Sequence, residues 1–262
     1  MLIQACLNGA RPPKFHRALP LDPDAIRRDA LACVAAGAGA LHLHLHPRDR
    51  TGRESLSADS LDAVLSVLRP ALPHTPIGIS TGEWIEDDPQ RTLAAIASWR
   101  LLPDFASVNV SEPAAPELFA ALRARGVGIE AGLADETDAE RFLSLRPVPA
   151  VRRILVEIDQ QELAKAEVTA EAVLILTSRL GIPRLLHGFD ATVWPLARKA
   201  VAAGLSLRIG LEDGNRLPNG SIARDNAELV AAARALLPLQ VPSPSDAARY
   251  REPRQIGQRC DR

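Results

Sequence analysis

ALHLHLH, residues 40–46, alternates apolar and imidazole side chains with a period of two. That period belongs to a β-strand, in which residues two apart project from the same face. His42, His44 and His46 therefore line one side, with His44 and His46 nearer the C-terminal end. Same-face neighbours have Cα atoms about 6.6 Å apart, so two imidazoles can lean together onto one ion at about 2.0–2.1 Å. The competing reading is a pair of hydrogen-bonded core histidines. Arg48 and Asp49, directly after the strand, favour the metal. His42 lies deeper and is assigned a packed, hydrogen-bonded role.

Outward from this strand, short apolar runs alternate with amphipathic segments. Strands are predicted over 2–7, 40–46, 76–80, 105–109, 127–131, 151–158, 183–188 and 205–211. Helices are predicted over 22–36, 57–68, after Pro89, and over 116–125, 135–144, 168–179, 193–204 and 226–237. Eight strand–helix units in this order predict a (β/α)8 TIM barrel, a single α/β domain over 1–240. A doubly wound sheet is disfavoured, because Gly37-Ala38-Gly39 precedes a strand, whereas a dinucleotide turn follows one. Asn8, His46, Ser80, Asn109, Glu130, Glu157, His187 and Glu212 each fall at or near a predicted strand's C-terminal end. In a barrel those ends converge on the catalytic face. Residues 241–262 turn polar and Arg-rich and read as a tail or a subunit-contact arm.

Composition narrows the class. Among 262 residues, 47% are hydrophobic and only 3% aromatic, so the core is built from aliphatic side chains. A formal net charge of -1 argues against nucleic acid or an anionic membrane as the main partner. The three cysteines, Cys6, Cys33 and Cys260, show no metal-type spacing and no disulfide framework. With no secretory pattern at the N-terminus and no run of about 20 apolar residues, a soluble, cytoplasmic protein is expected.

A catalytic zinc takes about three protein ligands and keeps one position open. The eighth strand offers candidates in Arg208-Ile209-Gly210-Leu211-Glu212-Asp213. By the period of two, Arg208 and Glu212 share a face, and Gly210 between them is expected to leave room for a ligand. One acid can then ligate metal while its neighbour acts as base.

Five motifs carry a resemblance: HLHPRD (44–49), ISTGE (79–83), SVNVSE (107–112), HGFDATVWP (187–195) and RIGLEDG (208–214). In this order they resemble the β-keto acid cleavage enzymes, the family that includes the 3-keto-5-aminohexanoate cleavage enzyme. The resemblance implies zinc, or another divalent metal, on His44, His46 and Glu212. It implies acyl exchange between a β-keto acid and acetyl-CoA, giving acetoacetate and a new acyl-CoA. Asp213 would be the general base, assisted by Arg208, while Ser80 and Thr81 would hold the substrate carboxylate and keto group. A homotetramer is implied as well. Where the family's amino-substrate member has a glutamate after Asn8-Gly9-Ala10, this chain has Arg11, which suits a neutral or anionic substrate tail. Glu112 is a candidate for a polar substrate group. Asn109, Glu130 and His187 are candidates for lining the pocket.

Two other readings compete. An amidohydrolase-type hydrolase also places HxH on a barrel strand, but on the first one, and needs further histidines after the fifth and sixth. This chain has none between His74 and His187. A non-catalytic metal-binding barrel predicts a closed four-ligand site, whereas only three clear ligands are present.

Overall fold

Eight parallel strands close into a barrel in sequence order, β1 through β8, with β8 pairing back onto β1. A computed structural model describes residues 1–45 and 53–238. His46, Arg48, Asp49 and the expected tail at 241–262 lie outside the described residues. The strands are β1 Ile3–Cys6, β2 Ala40–Leu43, β3 Ile77–Ser80, β4 Phe105–Asn109, β5 Gly128–Leu133, β6 Arg153–Ile158, β7 Arg184–Gly188 and β8 Ser206–Ile209. The helices are α1 Pro23–Ala36, α2 Ala58–Ala71, α3 Pro89–Ser98, α4 Ala115–Ala124, α5 Glu136–Ser144, α6 Leu163–Leu176, α7 Val193–Ala202 and α8 Asn226–Arg234. Among the described residues, no helix is long and apolar enough to cross a membrane.

Five of the eight loops from strand to helix end in a side-chain cap. Asp22, Ser57, Asp88, Asp135 and Asp225 each accept a backbone N–H from the first turn of the following helix. Strand side chains are buried on both faces, as helices outside a barrel require. Outward residues such as Leu41, Ile79, Val108 and Leu207 pack under the helices. Inside the barrel the filling is partly ionic. Arg153 Nε lies 2.7 Å from Glu130 Oε1, and Gln4 Nε2 donates to both Glu130 oxygens at 2.9 and 3.1 Å.

Several element ends depart from expectation, first among them β2, which ends at Leu43 although a strand is predicted over 40–46. α6 begins at Leu163, ahead of the predicted 168, because its start carries no side-chain cap to mark it. Its far end closes earlier, where Thr177 Oγ1 donates to the Val173 carbonyl. β8 ends at Ile209, and residues 210–213 form a turn in which Asp213 N–H donates to the Gly210 carbonyl. Strict alternation therefore does not carry from Arg208 to Glu212. Nor does Gly210 leave room for a ligand: a Cβ there would lie 1.8 Å from the Cys6 carbonyl oxygen. Its bareness lets the turn pass against β1.

Candidate active site

His44 follows β2 directly, and its backbone is fixed from β1. Asn8 accepts the His44 N–H at 2.9 Å and returns Nδ2 to the His44 carbonyl at 3.3 Å. Next to it Gly9, at φ 58°, lies against Glu212, whose Cγ would be 2.3 Å from any Cβ. A left-handed, bare residue is what this crossing needs. Glu212 thereby swings across the end of β1 toward β2, and its Oε1 lies 3.4 Å from His44 Nε2 and 3.9 Å from His42 Nε2.

Ligand atoms of His42, His44 and Glu212 all fall within 4.8 Å of one another. His46 lies outside the described residues. His42 is packed as expected, but its buried Nδ1 has no hydrogen-bond partner among the described residues. Burial first, then the Arg208 charge, lowers its pKa to about 3, leaving the neutral imidazole a metal requires. Burial pulls His44 down too, but Glu212 and Glu54 outweigh it and raise it to about 9. His44 Nδ1 donates to Glu54 Oε2 at 2.8 Å, which leaves Nε2 turned to Glu212. A carboxylate behind an imidazole in this way is the usual outer partner of a metal-bound histidine. Glu212 Oε2 is buried without a hydrogen-bond partner among the described residues. This donor set, two imidazoles and a carboxylate oxygen, suits a divalent cation of the zinc type.

Arg208 anchors the floor. Its Nη2 is bonded to Glu212 Oε1, its Nε lies 3.4 Å from Asp213 Oδ1, and its Nη1 lies 3.8 Å from Glu157 Oε2. Burial opposes the guanidinium charge, but Glu212 and Asp213 hold its pKa well above the ordinary value. For Glu212, burial is outweighed by Arg208 and then the two histidines, which keep it well below the usual carboxylate range. Asp213 is wholly buried behind this pair. Cys6 Sγ donates to its Oδ2 at 2.6 Å, and His187 Nδ1 lies 3.3 Å from its Oδ1. His187 Nε2 in turn meets Glu157 Oε2 at 3.0 Å. Burial would raise Glu157, but His187 and Arg208 bring it down to about 2. Three carboxylates thus share the floor with one guanidinium, a balance that favours a cation.

Above the floor is a cavity of about 510 Å³, within the range of small-molecule sites. Ser80, Asn109, Arg208 and Glu212 line it, as does Arg11. Other expected residues face elsewhere. Thr81 is fully buried and its Oγ1 donates to the Ser107 carbonyl, tying β3 to β4. Glu112 accepts from Asn109 Nδ2 at 2.8 Å and from Glu83 N at 3.1 Å, so it orients Asn109 from behind. Glu130 sits among Gln4 and Arg153 inside the barrel, away from the cavity lining. Arg11 is committed: Nε donates to the Glu212 carbonyl, Nη2 to the Asp213 carbonyl and to Asp190 Oδ1.

Trp84, Phe189, Asp190, Glu54 and Cys6 also belong to the site, in roles that no strand or helix period marks. Trp84 stacks on His44 with centroids 6.1 Å apart and, with Phe189, forms the aromatic walls. The scarcity of aromatic residues was the one signal that could have drawn attention to these two. Glu54, in contrast, lies on a loop with no periodicity to place it.

A model of the beta-keto acid cleavage enzyme family matches residues 1–164 and 165–253. Among solved structures, the ternary complex of ObcA with a C4-CoA adduct and oxalate is similar, with TM-score 0.68 and 18% identity over 83% of this chain. This chain covers 63% of that ObcA chain, and likewise 63% in the binary complex of ObcA with oxaloacetate, with TM-score 0.67 and 18% identity. The 3-dehydroquinate dehydratase of Geobacillus kaustophilus gives TM-score 0.56 at 13% identity, covering 96% of this chain and 92% of its own. At these identities the structural likenesses establish the barrel fold.

Proposed function

The chain belongs to the β-keto acid cleavage enzyme family, and from that premise we propose that it exchanges acyl groups between a β-keto acid and acetyl-CoA, releasing acetoacetate and a new acyl-CoA. The observation that carries this reading is the meeting of His44 and Glu212 at 3.4 Å, with Arg208 on the same carboxylate, at the floor of the cavity. Zinc or another divalent metal would be held by His44 and Glu212, with His46 or His42 as the third ligand, and would supply a Lewis acid for the keto oxygen. The ligands of the ObcA complexes add support, since oxaloacetate is itself a β-keto acid and the adduct is a CoA derivative.

The chain's own residues divide the remaining work. Ser80 and Asn109 offer hydrogen bonds to the substrate carboxylate and keto group from β3 and β4. Asp213 takes a proton from the carbon between those two groups, and Arg208 and Cys6 hold the carboxylate in place. The resulting carbanion attacks the acetyl carbonyl of acetyl-CoA and expels the CoA thiolate. That thiolate then adds to the original keto carbon, and the C–C bond breaks. Its electron pair leaves with acetoacetate, which recovers a proton. His187 and Glu157 connect the buried Asp213 to the cavity for these transfers.

Arg11 is charge-compensated by Asp190, and the walls are Trp84 and Phe189, so the substrate tail that fits is uncharged. The homotetramer implied by resemblance belongs to the same proposal. The test is a panel of β-keto acids offered with acetyl-CoA, scored by acetoacetate release before chelation, after it, and after zinc is restored. Zinc-dependent release supports the reading. Release that is indifferent to metal contradicts the metal site, and no release from any acid contradicts the reaction.

A further inference from the structure

Beside the catalytic cavity a second hollow, about 540 Å³, opens between the loop after β1 and the loop after β8. Lys14, Phe15, Arg17, Ile222 and Arg224 line it, and no described carboxylate does. This concentration of positive charge is local, in a chain whose formal net charge is -1. Arg224 is partly offset by Glu228, 3.2 Å from its Nε, so Lys14 and Arg17 carry most of the field. Both loops follow strands and therefore belong to the catalytic face of the barrel.

The groove is a built feature. His16 is buried between the loops, accepts Ala18 N–H on Nδ1 at 3.1 Å, and donates from Nε2 to the Ala223 carbonyl at 2.9 Å. On the other side a short hairpin, closed by the Arg216–Ile222 bridge and turned at Gly220 with φ 85°, holds Ile222 51% exposed beside the cations. An aliphatic side chain and a phenyl ring next to Lys14 and Arg17, which have no ion-pair partner among the described residues, suit a ligand that is part flat base and part phosphate. The groove also adjoins the catalytic cavity. Phe15 lines the first and Arg11 the second, and the guanidinium lies 4.4 Å over the ring.

We propose that this groove receives the phosphorylated adenosine end of coenzyme A, with the pantetheine arm passing over Arg11 into the catalytic cavity. The inference rests on the reading of an acyl-CoA co-substrate. Another hollow with cations, bearing Arg184 and Lys199, fits poorly: it opens by the starts of β7 and β8, on the opposite face, and Lys199 is paired with Glu171 at 2.7 Å.

The test is the double variant Lys14→Gln/Arg17→Gln, both exposed positions outside the catalytic machinery. KM for acetyl-CoA should rise about tenfold or more, as expected when two charge-assisted contacts to phosphate are lost. Kinetics with acetyl-pantetheine, which lacks the adenosine and its phosphates, should not change. Adenosine 3′,5′-bisphosphate should compete with acetyl-CoA on the wild-type enzyme and much more weakly on the variant. Inorganic phosphate competing equally well would reduce the site to a simple anion site and overturn the adenosine assignment. An unchanged KM for acetyl-CoA, or an equal rise for acetyl-pantetheine, would overturn the groove. Calorimetry separates the levels: coenzyme A that binds wild type and variant alike removes only the groove, whereas no binding to wild type removes the acyl-CoA reading with it.

Discussion

His44 is gripped from both sides, by Glu54 on Nδ1 and Glu212 toward Nε2, and the two carboxylates have different work to do. Glu212 is a ligand candidate, while Glu54 fixes which nitrogen faces the cavity. Glu54→Gln keeps the shape but weakens that fixing, and metal affinity should fall by about 10–100-fold. Competition with a chromophoric chelator would measure it, and unchanged affinity would show that Glu54 plays no part. Asp213 is the complementary case. It touches Arg208, Cys6 and His187 but stands apart from the His42–His44–Glu212 cluster. Asp213→Asn should therefore retain the metal and lose roughly 100-fold or more in kcat. Metal analysis and turnover on one preparation would check both halves, and a fully active variant would move the base elsewhere.

At the scale of elements, the seam where the barrel closes is held by buried polar packing. Asn226, at the first turn of α8, donates to the Leu7 carbonyl and to Asp29 Oδ2, and accepts Leu211 N–H, joining β1, α1 and the turn after β8. Burial, only partly offset by the Asn226 hydrogen bond, raises the Asp29 pKa to about 7 from 3.8. The sign follows from proton uptake. Between about pH 4 and 7 the folded protein keeps this proton while the unfolded chain loses it, so stability declines as pH rises through that window. Asp29→Asn retains an acceptor for Asn226 and removes the decline. Its Tm should match wild type near pH 4 and exceed it by a few degrees at pH 8. A variant that melts below wild type at pH 8 would mean that the ionised carboxylate is stabilising. Elements of this kind were legible in the sequence where periodicity held, as in ALHLHLH and the other strands. The reading lost accuracy where periodicity ends. The turn at 210–213 reorients Glu212, α6 starts without a side-chain cap, and Glu130 does not line the cavity although its strand is placed correctly.

For the whole molecule, the closed barrel explains why residues from both ends of the chain share one floor. β1 pairs with β2 on one side and β8 on the other, so Asn8, His44 and Glu212 are neighbours despite their separation in sequence. Pattern reading could assign these residues to one face. It could not show that Thr81 and Glu112 turn into supporting roles, or that Trp84 and Phe189 stand as walls, because those outcomes depend on loop paths that no period encodes. Acyl exchange at this site differs from simple hydrolysis of a β-keto acid in where the acetyl carbons go. The direct measurement is a reaction of an uncharged-tail β-keto acid with acetyl-CoA labelled with carbon-13 in the acetyl group, followed by mass spectrometry of both products. The expected result is label in acetoacetate and an unlabelled new acyl-CoA. Consumption of the keto acid with acetyl-CoA left intact and no label in acetoacetate would contradict it.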